Sequence, residues 1–442
     1  FGGDPMAQNQ PGGKRQRARI PAVQQSLSRA SDLGQCVLAC MAYQKTCKDD
    51  AGIVMAAPLE NITVLDLTHV LAGPYCSMIL SDLGARIIKV ERPGSGDDTR
   101  AFPPFKDGES AYFATINHGK ESIALDLKSP ADRAVFERLL AQADVLLENY
   151  RPGVMQRLGY GWEDLHAKYP RLIYGAVSGF GHSGPDALKP AYDMVVQARG
   201  GVMSITGEKD RDPVRVGASI GDIVAGMFLG HGILAALLDV QKTGQGQFID
   251  VAMLDSQLAL LEHAIAITSV TGQAPLPSGA RHPSITPFET FHASDGLFVI
   301  AAGNDALFVR LCDALRLPLS SDPRFATNPA RCDNARLLKR LIEAVTLGNT
   351  KDHWIGILTG AGIPTGPIQT VDQVMKDPQI LARNMVVEVL GKNGQSAKLS
   401  AGNPIKMSGL PDPETRAPAP RLDGDRAEIL AWLKEVEAKA VL

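Results

Sequence analysis

The chain has 442 residues, 45% hydrophobic and 21% charged, and 45 Lys and Arg against 48 Asp and Glu give a net charge of −3. That balance argues against a general nucleic-acid-binding surface, which needs a basic field, but leaves room for a local basic groove around a phosphorylated ligand. Six Cys over this length make no disulfide framework and point to a reducing, cytoplasmic setting.

Residues 1–57 stand apart. They carry seven Lys and Arg and four Asp, a net +3, with Gly, Pro, Gln and Ser crowding the first thirty positions. They are expected to be a disordered or non-native extension, with Met55 just ahead of the first convincing strand. The basic cluster Lys14, Arg15, Arg17 and Arg19 keeps a mitochondrial transit peptide as the alternative. Cys36, Cys40 and Cys47 have no His or fourth Cys nearby, and the nine His show no ligand spacing, so no metal is expected.

From residue 58 the chain alternates strands and helices. Aliphatic and β-branched runs at 62–67, 85–90, 123–127, 144–148 and 171–177 read as strands, and Ser129-Pro130 opens a helix with Phe136, Leu139, Leu140 and Ala143 on one face. Strands separated by helices imply crossovers and a parallel sheet, whose ligands bind beyond the carboxyl ends of the strands. The apolar run 223–238 is 16 residues with three Gly and His231 inside it, so it reads as a buried helix with a packed histidine and not as a membrane span. Beyond it, 247–251 reads as a strand, 256–269 as one helix, and 288–291 with 297–301 as a hairpin around Ser294-Asp295-Gly296. Residues 377–390 read as a linker and a strand, and 426–439 as the last helix.

Several motifs lead away from common chemistries. There is no Walker A loop and no HExxH. The GxGxxG match at 179–184 opens no amphipathic helix and reads as a turn, and the GxSxG match at 217–221 lacks a clear strand before it. The glycine-rich loop 94–100 is read as flexible, with Arg100 a candidate phosphate contact. Two carboxylates stand out. Asp222 is the only charge between Arg215 and Asp239, at the start of an apolar helix, and Asp193 is likewise followed by apolar residues. Each suits a helix cap, or a carboxylate held at a cleft for covalent catalysis.

A specific likeness joins these pieces. His69-Val70-Leu71-Ala72-Gly73-Pro74, Ile88-Lys89-Val90-Glu91-Arg92-Pro93, Glu148-Asn149-Tyr150-Arg151-Pro152-Gly153, Gly179-Phe180-Gly181, Tyr192-Asp193 and Gly221-Asp222 follow one another in order. Together they resemble the class III CoA-transferase, or CaiB/BaiF, family over nearly the whole chain from residue 59. Ser284-Ile285-Thr286-Pro287-Phe288, Asp295-Gly296 and Ala302-Gly303-Asn304 are most similar to its succinate–hydroxymethylglutarate CoA-transferase group.

The resemblance implies an α/β fold: a Rossmann-like large domain from 58–245 and 365–442, a smaller α+β domain within 246–364, and an interlocked homodimer. It implies that Asp222 attacks an acyl-CoA and passes CoA through an aspartyl-CoA thioester, with Asp193 as an acid/base or positioning group. His69, Val70, Leu71, Ala72, Arg92, Leu125, Lys128, Asn149 and Arg157 match CoA contacts. Coenzyme A is then a substrate, the partners are an acyl-CoA, a carboxylic acid and a second copy of the chain, and no tightly bound cofactor, nucleic acid or membrane is involved. Members that pass CoA between formate and oxalate carry a glutamine where this chain has Leu71, and a glycine run where it has Ser278-Gly279-Ala280-Arg281-His282-Pro283. Both departures argue against formate and oxalate. Arg281 and His282 become candidates to meet the second carboxylate of a dicarboxylic acid such as succinate. α-Methylacyl-CoA racemases of the same family, which move a proton and transfer nothing, are the alternative activity, and a non-enzymatic CoA-binding protein a further one.

Overall fold

The computed structural model describes residues 56–391 and 396–440, so all but the last two residues of the expected N-terminal extension fall outside the described residues. Six strands form one parallel sheet: β1 (Thr63–Asp66), β2 (Arg86–Glu91), β3 (Glu121–Ala124), β4 (Val145–Glu148), β5 (Ile173–Ser178) and β6 (Phe248–Ala252). Each overlaps a run read from the sequence. Their order across the sheet is β3-β2-β1-β4-β5-β6, the doubly wound Rossmann order, whose direction reverses between β1 and β4. The sheet includes β6, so the large unit runs past the boundary expected at residue 245.

Both faces of the sheet are covered, which is why its strands read as continuous apolar runs and not as alternating ones. Alternate side chains go to opposite cores. Val64, Ile87, Val145 and Leu147 pack with Cys76 and Leu80 of helix α1 (Ala72–Asp82), while Leu65, Ile88 and Leu146 pack with Phe136 and Leu139. The last helix, Arg426–Ala440, adds Ile429 and Leu433 to the second core. The segment before it closes the outer edge of β3. Ser122 N donates to Asp425 Oδ2 (2.8 Å), Ala124 N donates to Asp423 Oδ1 (2.8 Å), and Arg426 donates to the Ala124 carbonyl.

Four further helices position the site: α2 (Ala111–Asn117), α3 (Pro130–Leu140), α4 (Asp193–Arg199) and the 24-residue α5 (Ile220–Thr243). By length and composition α5 would cross a membrane. Here Ala225, Leu229 and Ile233 are buried in the first core, and Gly226 lets α5 meet α1: a Cβ there would stand 2.5 Å from the Ala72 carbonyl oxygen. The other face is open. Met227, Phe228 and Leu238 are exposed, and so is His231, whose Nδ1 lies 2.8 Å from the Met227 carbonyl. The expected packed histidine is therefore a surface one, because no described residue covers that face.

The expected single helix at 256–269 is two, α6 (Met253–Ala259) and α7 (Glu262–Thr271). Between them Leu260 N and Leu261 N bond three residues back, to Gln257 O and Leu258 O, tightening the turn where Gln257 is buried against Gly200. Residues 291–363 build a separate core. The hairpin β7 (Phe288–Ala293) and β8 (Gly296–Ala301) turns at Gly296 (φ +137°), and β8 also pairs β9 (Thr365–Pro367). The stretch expected as linker and strand holds a short helix, Pro378–Ala382, before β10 (Val386–Leu390). That strand lies between β11 (Ser396–Ala401) and β12 (Thr415–Arg416).

Candidate active site

Residues after β1 and β4 face each other across the switch point. Asn149, just past β4, brackets His69, just past β1: its Oδ1 accepts from His69 N (2.9 Å) and its Nδ2 donates to His69 O (2.7 Å). Val70 follows at φ +68°, Leu71 is buried, and Ala72 begins α1 with no side-chain cap. A cavity of about 360 Å³ opens here, lined by His69, Asn149, Tyr150, Ser178, Gly179 and Tyr192. It occupies the place where an open parallel sheet receives its ligand.

Asp222 sits in the first turn of α5, one turn before the Gly226 contact that fixes α5 against α1. Its side chain is half-buried and accepts no hydrogen bond among the described residues. Burial, reinforced by the charge of Asp193, raises its carboxyl to about pKa 7. Asp193 is the reverse case. It is buried at the first position of α4, and both oxygens are engaged: Oδ1 accepts from Gly221 N (2.8 Å) and Oδ2 from Gln197 Nε2 (2.8 Å). Gln197 Oε1 in turn accepts from Val216 N (2.9 Å). Asp193 thus caps the helix that carries Asp222, from a different helix. Gly221 is required for this approach, since a Cβ there would stand 2.9 Å from Asp193 Oδ1 and 2.8 Å from Val196 Cγ2. The sequence offered a cap and a catalyst as alternatives for both residues; the geometry gives Asp193 the cap and leaves Asp222 free.

The remaining predicted contacts divide. Arg92 and Lys128 are exposed beyond β2 and β3, Arg92 pairing with Asp98 (2.5 Å). Leu125 points into the core beneath β3, with its N–H on the Glu91 carbonyl (2.9 Å). Arg157 lines a second cavity of about 440 Å³ with Trp162 and His182. Arg281 lies in a third, of about 780 Å³, with Lys209, Arg336 and Arg340. Its loop is tied by Gly279 N to Gly207 O (2.9 Å), on the segment that leads to Asp222. His282 stacks on His263 and meets the Phe288 ring edge-on. Arg100, the candidate phosphate contact, is instead structural: it grips Glu91 through Nε (2.8 Å) and Nη2 (2.6 Å) and lies over the Phe113 ring.

Two features escaped the sequence reading. Tyr112 on α2 is near enough that, after burial, the charges of Asp222, Asp97 and Asp193 help raise its hydroxyl pKa. Lys89 is fully buried, 2.9 Å from Asp97. A lysine inside the aliphatic run Ile87-Ile88-Lys89-Val90 is itself a signal, because such a residue persists only with a buried partner.

Fold and site together define a doubly wound α/β protein with a cavity at its switch point and a half-buried carboxylate, Asp222, that has no hydrogen-bond partner among the described residues. The chain belongs to CoA-transferase family III, whose family model matches residues 59–426, and it is an enzyme of that transferase class. Among its relatives is an acetyl-CoA:oxalate CoA-transferase of Acetobacter aceti, 46% identical over 86% of this chain and 97% of the relative. A succinate–glutarate CoA-transferase of Agrobacterium fabrum is 39% identical over 87% and 97%. A crystal structure of a CaiB/BaiF family protein from Brucella suis superposes with a TM-score of 0.76 at 38% identity, covering 85% of this chain and 99% of that one. The argument against oxalate finds no support in the first of these names, and neither relative's name describes a racemase.

Proposed function

We propose that this CoA-transferase moves CoA from a succinyl-CoA-type donor to a dicarboxylic acid through an aspartyl-CoA thioester on Asp222. The observation that carries the reading is the contrast within one carboxylate pair: both Asp193 oxygens accept hydrogen bonds, while Asp222 has no hydrogen-bond partner among the described residues and is partly desolvated. The Asp222 carboxylate attacks the donor carbonyl and expels CoA thiolate, giving a mixed anhydride. The thiolate then attacks the Asp222 carbonyl, releasing the donor acid and leaving aspartyl-CoA. An acceptor carboxylate enters by the same two steps in reverse, so that one hard exchange becomes two similar ones.

The turn 69–72 and Asn149 receive the CoA, and Arg92, Lys128 and Arg157 serve its phosphates. Arg281, in a cavity whose lining holds four cations and the single acid Asp333, meets the free carboxylate of the acceptor. The acids in the relatives' names, oxalate and glutarate, both have two carboxylates. A second copy of the chain completes the assembly. Helix α7 has no buried residue, and Ile265, Val270, Leu258 and Leu276 leave an apolar face uncovered.

Incubation with succinyl-CoA and no acceptor, followed by peptide mass analysis, tests the reading. A CoA adduct on the peptide holding Asp222 is expected, absent from Asp222→Ala. Undiminished turnover by Asp222→Ala would overturn it.

A further inference from the structure

The turn after β1 is held in a conformation that its own sequence resists. Val70 has φ +68°, a region where a β-branched residue crowds its backbone and which glycine occupies freely. Such a backbone persists only where its surroundings enforce it. Three grips do so here, on three consecutive residues. Lys89 Nζ donates to Thr68 O (2.7 Å), Asn149 brackets His69, and Val70 N donates to Asp97 Oδ1 (3.2 Å). The outer two grips end in one ion pair, Lys89 Nζ to Asp97 Oδ2 at 2.9 Å, with both side chains wholly buried.

Asp97 is itself fixed. Its Oδ1 accepts from Thr99 N (2.9 Å) and Thr99 Oγ1 (2.7 Å), and its own N–H donates to Glu91 Oε1 (2.9 Å). Burial alone would raise its carboxyl; Lys89 and the Thr99 bonds outweigh that and hold it below the usual carboxylate range. A buried ion pair is weak evidence of stabilisation, because apolar groups of the same volume often serve the fold as well. What apolar groups would not supply is a donor to the Thr68 carbonyl and an acceptor for the Val70 N–H. The neighbouring buried pair, Lys120 with Asp66, shows the difference: Lys120 bonds Ser77, Asn117 and the Pro74 carbonyl inside α1 and α2, and Asp66 holds only the entry to the turn, accepting from Thr68 N (2.9 Å) and the Thr68 hydroxyl without reaching His69 or Val70.

We propose that Lys89 and Asp97 are positioning residues for the acyl-CoA: a buried clamp that forces Val70 into the left-handed region and so holds the turn 69–72 and the uncapped start of α1 in their CoA-accepting shape. This rests on the reading that the turn receives CoA. The clamp acts on binding and does not touch the reacting carboxylate.

The test is whether the need for Asp97 disappears once residue 70 tolerates positive φ unaided. Steady-state kinetics with succinyl-CoA on the full chain compare Asp97→Asn in two backgrounds, wild type and Val70→Gly, each against its own baseline. In the wild-type background KM for succinyl-CoA rises about 10-fold, as when one or two hydrogen bonds are lost, with kcat within about 2-fold. In the Val70→Gly background the same change raises KM less than about 3-fold. An equal rise in both backgrounds overturns the proposal, as does a fall in kcat at constant KM. Should Asp97→Asn not fold, Val70→Gly is compared with Val70→Ala, the clamp intact. The glycine variant then binds CoA more tightly by calorimetry and melts about 2 °C higher, because only alanine strains at this φ; the reverse order overturns the proposal. His69→Trp, which fills the cavity beside the turn, separates the two layers. If it leaves CoA binding intact, the placement of CoA at the turn has failed and the clamp with it; if it abolishes binding while the two backgrounds respond equally, the clamp alone has failed.

Discussion

The two sides of the site are built in opposite ways. On the side proposed to receive CoA, Thr68, His69 and Val70 are gripped in turn by Lys89, Asn149 and Asp97, each from elsewhere in the chain. On the other side, residues 207–218 and the Arg281 loop are largely exposed. They are joined by one backbone bond, Gly279 N to Gly207 O, and the four cations in their cavity, Lys209, Arg281, Arg336 and Arg340, form no ion pair among the described residues. A rigid half suits a partner that is always the same, since preorganisation removes the cost of ordering on binding. A loosely held half suits one that varies. The difference matches a family in which one thioester carrier meets several acids.

The largest test removes the proposed nucleophile. Asp222→Ala is expected to lower CoA transfer by about four orders of magnitude while CoA binding by calorimetry stays near wild type, because positioning cannot replace a missing covalent step. A mutant with a tenth of normal turnover would refute the nucleophile.

Arg281→Ala probes the looser half. KM for succinate or glutarate should rise about 10- to 100-fold, the loss of one charge-assisted pair, while butyrate is much less affected. Equal losses for dicarboxylate and monocarboxylate would mean that Arg281 supports its loop and does not read charge. Asn149→Ala probes the rigid half. It removes both bonds to His69, so KM for succinyl-CoA should rise about 10-fold with one acceptor as much as with another. An effect that depended on the acceptor would blur the boundary drawn here.

The smallest effect is one of pH. Asp222 holds its proton up to about pH 7, so transfer should climb between pH 6 and 8 as the nucleophile ionises. Stability moves the other way. The folded protein binds this proton more tightly than the unfolded chain, so the contribution is complete below the unfolded carboxyl value near 3.9 and is lost as pH rises through about 7. Asp222→Asn removes that loss, with a gain of about 1–2 kcal/mol at pH 8 after allowance for partial exposure, and little at pH 4. Denaturant titrations at the two pH values decide it.

The sheet was legible because both its faces are buried: continuous aliphatic runs at Val64, Ile87, Val145 and Ile173 carry their own signal. The Gly221-Asp222 start of α5 was legible as a lone charge in an apolar stretch. What the sequence hid were interactions distant along the chain. Nothing at Asp193 announces that it caps a helix starting 27 residues later, and nothing at Val70 announces a positive φ imposed by Asp97. His231 was misread because an apolar helix looks buried all round until one asks what covers each face. The two-helix break at Leu260 was missed because no Gly or Pro marks it; the buried Gln257 makes it.

The seal on the edge of β3 has a consequence for how the protein is made. That strand ends at residue 124, yet the Asp423 and Asp425 carboxylates that occupy its outward N–H groups arrive some 300 residues later. During synthesis the sheet therefore carries an open, pairing-competent edge until residues 423–425 have left the ribosome. Pairings across so long a separation also close slowly. The segment around Asp423 and Asp425 acts as a built-in guard against edge-to-edge association. A protein stopped at residue 420 should gather in the pellet even though the described cavities lie wholly before that point.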